Sequence, residues 1–395
     1  MQVPTVVANH AILPLDKLKD YISSQTIVVR SPGRINLIGE HTDYNEGYVL
    51  PAAIDKAAYL TLTPREDSEI HLTSIDLKDT YSGNIHDFKR TEKSWPNYIL
   101  GVADQFRQRG KLTQGFDAVL TADVPIGAGL SSSAAVENAV AMALNQAEAM
   151  DFDKLSMVKM SQKAEHTYPR LMCGIMDMFA SMFGKKNNVI RLDCRSLGYE
   201  YEPFDMDGFK IVLIDTQVKH SLNETGYNNR REQCEEGVAV VKKHYPEVNS
   251  LRDVTMDMLN QYVLPYDELI YKRCSYVLEE NARLLKACEY LEHGDMQAFG
   301  KKMYESHEGL SKKYEVSCKE LDFLVAQVKN NPDVLGARMM GGGFGGCTIN
   351  LVKDSAVDSL INSVTQAYGE AMHLEAKAYV TNIEDGTTII NAKNF

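Results

Sequence analysis

Residues 32 to 44 form the segment that most restricts what this chain can be, and they read Pro-Gly-Arg-Ile-Asn-Leu-Ile-Gly-Glu-His-Thr-Asp-Tyr. A short apolar run at residues 26 to 29 precedes them, which predicts a strand that ends in a loop. Loops held by a rigid strand are where binding and catalytic groups concentrate. This loop offers a guanidinium, an amide, two carboxylates and an imidazole, from Arg34, Asn36, Glu40, Asp43 and His41. A merely solvated loop would not need two apolar residues between its charges, so we interpret the segment as a functional site.

Length and charge limit the class of protein. With 395 residues the chain exceeds the size at which one hydrophobic core stops growing, so two domains are expected. The net charge of −12 argues against a nucleic-acid or anionic-membrane surface, because both need basic patches. No segment approaches about 18 consecutive apolar residues, and residues 1 to 15 lack a basic region before a long apolar stretch. We therefore expect neither membrane insertion nor secretion.

The cysteines indicate a reducing compartment. There are seven, an odd number, and they lack the CxxC or Cys/His spacing of a metal site. Scattered thiols in a chain of this size fit the cytosol better than a disulfide framework, so we predict a cytoplasmic protein without structural zinc. Cys173 and Cys347 stand beside motifs described below, and we expect both to pack as small apolar groups.

Hydrophobic periodicity predicts a mixed chain. Strands are expected at 57–63, 69–73, 116–120, 189–194 and 209–216, and helices around 98–106 and at 131–150 and 153–167. Residues 223–330 are almost wholly helical in pattern, and strands return at 337–340, 347–352, 378–381 and 387–390, with a helix at 356–372. These patterns predict an α+β protein of two domains, at residues 1–205 and 206–395, with a boundary that no linker marks.

A glycine- and serine-rich loop predicts a phosphate site. Residues 125 to 134 read Pro-Ile-Gly-Ala-Gly-Leu-Ser-Ser-Ser-Ala and join a strand to a long helix. Glycines let backbone N–H groups turn toward an anion, and a helix N-terminus adds unpaired donors. The serines offer N-caps and hydroxyls for phosphate or Mg²⁺. We assign the loop to nucleotide phosphates through Gly127, Ala128, Gly129, Leu130, Ser131, Ser132 and Ser133.

Other phosphate-binding motifs do not fit. The P-loop pattern G-x-x-x-x-G-K followed by Ser or Thr does not occur, nor does the protein-kinase set built on His-Arg-Asp and Asp-Phe-Gly. A GxGxxG pattern at Gly341, Gly343 and Gly346 precedes a predicted strand instead of opening a helix, so a dinucleotide fold is poorly supported. Five glycines within residues 341 to 346 exceed what one turn needs and favour close approach of the backbone to a ligand.

Four motifs in this order resemble those of the galactokinases, within the superfamily of homoserine, mevalonate and phosphomevalonate kinases. They are the 32–44 segment, the glycine–serine loop, Cys-Gly-Ile-Met-Asp-Met-Phe at 173–179 and the glycine-rich motif at 335–350. The segment 226–234, Gly-Tyr-Asn-Asn-Arg-Arg-Glu-Gln-Cys, also resembles that family. The resemblance implies an N-terminal ribosomal-protein-S5-like domain and a C-terminal ferredoxin-like α+β domain, with the active site between them.

The same resemblance implies the roles of the site residues. Asp177 would be the base that takes the sugar's proton, and Arg34 would steady that carboxylate and the phosphoryl charge. Ser133 and Glu165 would hold Mg²⁺, with Ser132 as the alternative serine. The residues that would contact the sugar are Glu40, His41, Thr42, Asp43, Gly174 and Tyr227. Taken alone, Glu165 has the pattern of a surface carboxylate, and Asp177 that of an N-cap or a buried ion-pair partner.

The activity implied is Mg²⁺-dependent transfer of the γ-phosphate of ATP to the 1-hydroxyl of α-D-galactose. The products would be α-D-galactose 1-phosphate and ADP, and we expect a monomer with no nucleic-acid or membrane partner. Two alternatives are a kinase for a related sugar, such as N-acetylgalactosamine or arabinose, and a non-catalytic sensor of galactose and ATP. The chain departs from the family pattern at Ala135, Val136, Met172 and Met178, none of which removes a named functional group.

Overall fold

The strands follow the predicted apolar runs closely. The computed structural model describes residues 14–125, 127–204, 206–219 and 223–391. In these ranges the strands are β1 (Ile27–Asn36), β2 (Tyr48–Val49), β3 (Pro51–Pro64), β4 (Glu69–Ser74), β5 (Asp79–Asn84), β6 (Phe116–Ala122), β7 (Asn188–Asp193), β8 (Tyr199–Pro203), β9 (Phe209–Lys219), β10 (Val334–Met339), β11 (Gly345–Lys353), β12 (Lys377–Thr381) and β13 (Thr388–Ile390). The short strands β2, β5 and β8 were not predicted, because they offer too few alternating residues to give a signal.

The helices lie where amphipathic spacing predicts them. In the described ranges they are α1 (Ser94–Gln108), α2 (Ser132–Ala147), α3 (Lys154–Thr167), α4 (Met176–Phe183), α5 (Asn223–Lys242), α6 (Met256–Met258), α7 (Glu268–Glu292), α8 (Met296–Gly309), α9 (Lys319–Val328) and α10 (Val357–Met372). None of the helices described is long and apolar enough to span a bilayer. Helix α4 was not predicted, since it has only eight residues and is apolar on most sides.

The first sheet carries the phosphate loop and has the strand order β13-β1-β3-β6-β4-β5. Alternate residues such as Leu60 and Leu62 point from β3 into a core that α1, α2 and α3 cover. Phe106 of α1 and Val140 of α2 are fully buried there. This packing fixes the start of α2 at the end of the sheet where the glycine–serine loop leaves β6.

Strand β1 is longer than predicted, which corrects the position of Arg34. The strand pairs with β3 from Ile27 to Asn36, with an irregularity between Pro32 and Arg34. A bulge accommodates a proline, which has no N–H for the ladder. The N–H of Arg34 donates instead to the carbonyl of Leu130 at 3.0 Å. Arg34 therefore lies on a rigid strand next to the phosphate loop, and the flexible part of the segment begins only at Leu37.

The second sheet has the order β10-β11-β9-β12 and separates two cores. Because side chains alternate along a strand, Val212 and Ile214 of β9 face the core formed with α9 and α10. Ile211 and Leu213 face the opposite core, which Ile35 of β1 also enters. The two sheets are thus joined by a shared apolar core directly beneath the 37–44 loop.

The last strand does not stay with the C-terminal half. Strand β13 pairs antiparallel with β1, with Val28 opposite Ile390 and Arg30 opposite Thr388. The chain therefore returns to the first sheet and covers the free edge of β1. The domain division into residues 1–205 and 206–395 stays a prediction. The final strand, β13, departs from it because it lies in the sheet of the first half.

Candidate active site

A cavity of about 410 Å³ gathers most of the predicted site residues. It lies where the 37–44 loop, the glycine–serine loop, the start of α4 and the turn between β10 and β11 meet. The predicted residues on its wall are Arg34, Glu40, His41, Asp43, Gly127, Gly129, Leu130, Ser131, Ser132, Ser133, Asp177 and Tyr227. Segments separated by up to about three hundred residues thus share one site.

An ion pair between Arg34 and Asp177 lies at one side of the cavity. Arg34 donates from Nε to Oδ1 of Asp177 at 2.8 Å and from Nη2 to Oδ2 at 2.9 Å. Its third donor, Nη1, contacts the carbonyl of Gly129 in the phosphate loop at 2.5 Å. Burial alone would lower the pKa of Arg34, but the carboxylates of Asp177, Glu40 and Asp43 raise it. Asp177 keeps 24% of its side chain exposed, so a fixed carboxylate faces the cavity.

Ser131 does not cap α2, contrary to the prediction for the serines of this loop. It occupies the N-cap position with a left-handed φ of 57°, and its side chain makes no capping hydrogen bond. Its hydroxyl donates to Oδ2 of Asp177 instead. The residue thus connects the phosphate loop to the predicted base, because the left-handed turn directs its side chain away from the helix.

Glu165 is buried, which excludes its alternative interpretation as a surface carboxylate. Only 4% of the residue is exposed, and it lies in the last turn of α3. Burial, and next to it the charge of Asp177, raises the pKa of Glu165 to about 7, while hydrogen bonds from Ser133 and Cys173 act to lower it. The serine that meets Glu165 is therefore Ser133.

Cys173 corrects a second expectation. It is buried as predicted, but its Sγ lies 3.4 Å from Oε2 of Glu165, where the thiol can donate a hydrogen bond. Burial, and then the charge of Glu165, raises the pKa of Cys173 well above its ordinary value. Cys173 therefore orients Glu165 as a neutral donor. Cys347 is also buried, in the core between the sheets.

Ser133 and Glu165 fit a Mg²⁺ ion. Mg²⁺ takes hard oxygen ligands and usually only one or two from the protein. The two side chains supply one hydroxyl and one carboxyl group, and burial and the charge of Asp177 raise the pKa of Glu165 although Arg34 acts to lower it. Among the described residues, no group of three or more His, Cys, Asp or Glu side chains is arranged to hold a metal by itself.

Glu40 is held by the C-terminal half of the chain. Its Oε1 accepts from Nη2 of Arg338 at 2.8 Å and from the N–H of Gly341 at 2.8 Å. Burial alone would raise the pKa of Glu40, but the guanidinium groups of Arg338 and Arg34 hold it below its usual value. Glu40 is thus an ionised acceptor that also fixes the glycine-rich turn over the cavity.

His41 is neutral and has both ring nitrogens engaged. Nε2 lies 3.2 Å from the carbonyl of Gly342 and Nδ1 lies 2.7 Å from the hydroxyl of Tyr44. A carbonyl only accepts, so Nε2 carries the proton and Nδ1 accepts from Tyr44. Burial lowers the pKa of His41 to about 4. The imidazole therefore forms part of the wall with a fixed tautomer, and its ring centroid lies 5.2 Å from that of Tyr227 with the two ring planes tilted by 40°.

Asp43 faces the cavity from a tight site. Burial, and next to it the charge of Asp177, raises the pKa of Asp43 to about 7. A side chain at Gly174 would collide with the Asp43 carboxylate, so this glycine leaves the space that Asp43 fills. Asp43 is therefore a buried carboxyl at the cavity wall that can accept a hydrogen bond from a ligand when it is ionised.

Four predicted site residues are not among the described residues that line the cavity, namely Thr42, Ala128, Glu165 and Gly174. The Thr42 hydroxyl lies 2.9 Å from the carbonyl of Gly39 and 2.6 Å from that of Tyr48, to either of which it can donate. The side chain of Ala128 is fully buried. Thr42 and Ala128 therefore direct their side chains into the protein, and Glu165 meets the cavity wall through Ser133.

Further wall residues lie outside the predicted contacts, although the glycine-rich turn was expected to approach a ligand. They come from α1, from residues 171–176 and from the loops after β6 and β10, and they are Tyr98, Pro125, Leu171, Cys173, Met176, Met340, Gly341, Gly342, Gly343, Gly345 and Gly346. The glycines carried a usable signal, since five of them crowd one turn. Arg338 and Tyr44 carried none, because their roles depend on partners distant in sequence.

Known protein families match most of this chain. Family models match at residues 18–64 (galactokinase galactose-binding signature), 97–185 (GHMP kinases N terminal domain) and 287–371 (GHMP kinases C terminal). A galactokinase of Thermotoga neapolitana is 41% identical over 360 residues, which cover 91% of this chain and 98% of the relative. A galactokinase of a Roseiflexus species is 39% identical over 362 residues, covering 91% and 92%.

Solved structures show the same fold. The Lactococcus lactis galactokinase complexed with galactose has a TM-score of 0.90 at 33% identity and covers 95% of this chain and 98% of its own. A mevalonate kinase of Methanococcus jannaschii has a TM-score of 0.62 at 16% identity, which shows the fold alone. The two-domain α+β fold is that of the GHMP kinases. Within that class, the chain belongs to the galactokinase family.

Proposed function

We propose that this protein phosphorylates α-D-galactose at its 1-hydroxyl with ATP, giving α-D-galactose 1-phosphate and ADP. The observation that carries the proposal is the Asp177 carboxylate, partly exposed in the cavity and held by two bonds from the buried Arg34 and one from Ser131. A carboxylate fixed on both oxygens is positioned to accept a proton from a bound hydroxyl. Its neighbour, the glycine–serine loop, supports a nucleotide at the same place.

The residues of the cavity support a direct transfer. The sugar's 1-hydroxyl oxygen would bond to the γ-phosphorus, the bond from that phosphorus to the bridging oxygen would break, and the hydroxyl proton would pass to Asp177. Phosphoryl transfer depends mainly on positioning and on stabilising charge. Arg34 would do both, because it joins Asp177 to the carbonyl of Gly129 and brings a buried positive charge beside the reacting groups.

Recognition of the sugar would use the acceptors opposite the phosphate loop. Asp43 and Glu40 can accept from hydroxyls, and Tyr227 can donate or accept at the same wall. Such charged hydrogen bonds discriminate hydroxyl positions more strongly than apolar contact does. His41 would contribute mainly shape, since the protein engages both of its nitrogens.

The nucleoside would extend past α1. A second cavity of about 270 Å³ begins at Tyr98, which also lines the main cavity, and includes Thr91, Asn97 and Pro169. This continuity supports a triphosphate along residues 127–133 with the base beside the Tyr98 ring. Mg²⁺ would be held by Ser133 and Glu165, and it would supply positive charge to neutralise the phosphates.

The setting of the enzyme follows from two observations. All seven cysteines are free in the structure, which supports a reducing cytoplasm. The cavity residues of this chain support sugar and nucleotide as its partners.

A panel of sugars tests the proposal. Galactose, N-acetylgalactosamine, arabinose and glucose are each incubated with ATP and Mg²⁺, and ADP release and phosphosugar are measured. We expect turnover with galactose to exceed that with each other sugar. Binding of galactose and ATP without turnover would instead indicate a sensor, and preferred turnover of another sugar would correct the substrate.

A further inference from the structure

The side chain of Glu137 is a buried carboxyl without a partner. It lies in α2, is 0% exposed, and neither of its oxygens has a hydrogen-bond partner among the residues that the structure describes. Burial of a carboxyl in an apolar setting is costly unless it is paired, and an orphaned polar group in a folded protein calls for an explanation. Neither the proton transfer nor the sugar contacts proposed above use this residue.

Its place in the helix points toward the cation site. Residues four apart lie on the same side of a helix, so Glu137 stands one turn behind Ser133. On α3, Ser161 stands one turn before Glu165 and is also fully buried, with a hydroxyl that has no partner among the described residues. Helix α2 starts at the cavity, and Glu165 in the last turn of α3 meets Ser133 at that start. Glu137 and Ser161 therefore form a second polar layer behind the Ser133–Glu165 pair.

In the described part of the chain, the carboxyl groups around this layer outnumber the positively charged groups that contact them. The charged groups that act on the Glu137 carboxyl are Glu165 and Asp177, both negative, and with burial they raise its pKa well above the usual value. Arg34 is the cation bonded to Asp177, and it also bonds the phosphate loop. A divalent cation held by Ser133 and Glu165 would supply the positive charge that this group of carboxyls lacks.

We propose that Glu137 is a positioning residue of the divalent-cation site, which strengthens cation binding from one turn behind the Ser133–Glu165 pair. The inference rests on the proposed function, because it assigns Glu137 to the cation of that same site. Direct ligation is not implied, since no set of three acidic, His or Cys side chains among the described residues has ligand geometry. Groups that orient metal ligands from behind typically change metal affinity about 10- to 100-fold when they are removed.

Binding of Mn²⁺ tests the proposal without turnover. Mn²⁺ is titrated into protein containing a non-hydrolysable ATP analogue, and free Mn²⁺ is followed by electron paramagnetic resonance. Glu137→Gln keeps the shape of the side chain but cannot become negatively charged, and it should weaken Mn²⁺ binding about 10- to 100-fold. Glu320→Gln, another buried glutamate but in α9 away from the cavity, is the matched control and should bind Mn²⁺ like the wild type.

Thermal unfolding separates positioning from a structural role. Removing an unpartnered buried acid should leave the melting temperature of the metal-free protein unchanged or higher, and galactose affinity by calorimetry should stay at the wild-type level. Glu137→Met, which is apolar and of similar length, should give the same loss of Mn²⁺ affinity. Failure of both variants to fold, or loss of galactose binding in parallel, would assign Glu137 to structure and overturn the proposal.

The outcomes also separate this inference from the proposed function. If the wild-type protein binds no Mn²⁺ with the nucleotide analogue, both are wrong. If the wild type binds and Glu165→Gln does not, while Glu137→Gln binds like the wild type, the cation site stands and the role of Glu137 alone is refuted.

Discussion

Arg338 and Glu40 are joined by a fully buried ion pair across 298 residues of sequence, with Nη2 of the arginine 2.8 Å from Oε1 of the glutamate. The same guanidinium donates to the carbonyls of Asn36, Leu37 and Met339. Nε and Nη2 of Arg338 thus tie the end of β1 and the loop that follows it to β10, the strand that leads into the glycine-rich turn, whereas Nη1 bonds within β10. The pair holds the two sides of the cavity together.

Replacing Arg338 by Met should destabilise the protein strongly. The change leaves Glu40 charged and buried without its partner, which typically costs about 3–5 kcal/mol. Denaturant unfolding measures the loss. Arg65→Met is the control, because the ion pairs of Arg65 lie in solvent, and it should unfold like the wild type. Wild-type stability of Arg338→Met would show that the pair does not hold the loops.

Asp177→Asn should remove the base without disturbing the fold. The amide keeps the shape of the carboxylate but cannot take a proton, so kcat should fall about 10²- to 10⁴-fold. Galactose and nucleotide affinities should remain, and calorimetry checks both. Arg34→Lys should also be impaired, because lysine lacks the planar fork that meets both carboxylate oxygens. A folded Asp177→Asn enzyme with wild-type turnover would falsify the mechanism.

Ser131→Ala distinguishes two roles for that serine. If its hydroxyl serves to orient Asp177, as its hydrogen bond indicates, kcat should fall, by roughly tenfold for one lost charged hydrogen bond. KM for ATP should then change little. Steady-state kinetics with each substrate varied gives both constants. A rise in KM for ATP at constant kcat would return Ser131 to the phosphate-binding role that the loop motif predicts.

The pKa of Asp43 predicts how galactose affinity depends on pH. Asp43 accepts best as a carboxylate, and its pKa near 7 means that protons compete with the sugar below that pH. Affinity should therefore be highest above pH 7 and fall as pH decreases toward 5. His41, with a pKa of about 4, stays neutral between pH 5 and pH 7 and therefore does not add to the pH dependence of galactose affinity. Calorimetric titrations at several pH values, repeated with Asp43→Ala, check this. Sugar affinity that is independent of pH in the wild type would contradict it.

The same pKa gives an opposite effect on stability. Because the folded pKa of Asp43 lies above its unfolded value near 3.9, the folded state holds an extra proton between these values. The contribution to the free energy of unfolding is thus present below about pH 4 and is lost as pH rises through 7. Asp43→Asn should be more stable than the wild type at pH 8 when no sugar is present. Chemical unfolding at pH 5 and pH 8 measures the difference in the free energy of unfolding. If that free energy changed equally with pH in both proteins, the prediction would be refuted.

Glu165→Gln should raise the Mg²⁺ requirement and leave the sugar site intact. The amide retains one oxygen but loses the charge that a hard cation favours. The Mg²⁺ concentration for half-maximal rate should therefore rise, while galactose affinity measured without metal should not change. Asp104→Asn, a buried carboxylate of α1 whose partners are Arg107 and Gln108, controls for loss of a buried charge. Unchanged Mg²⁺ dependence would remove Glu165 from the cation site.

Short-range patterns were enough to place the main helices and strands and to find most of the cavity wall. Turns and backbone N–H donors depend on local dihedral angles. They can therefore be predicted from neighbouring residues, as in the glycine–serine loop, the Asp177 motif and the 37–44 loop. Their order along the chain indicated the galactokinase family before any contact was known. Local patterns did not predict the short helix α4. They also did not predict that β1 continues past a bulge at Pro32.

Tertiary structure alone decided which side chains face a ligand and which face the protein. Thr42, in the middle of the most informative motif, turns inward, whereas Ser131 forms a hydrogen bond with Asp177 instead of capping the helix. Arg338 gains its role from Glu40, and Glu137 from the layer between α2 and α3. Burial and charge at these positions depend on partners that the fold brings together from distant segments, and no local pattern contains that information.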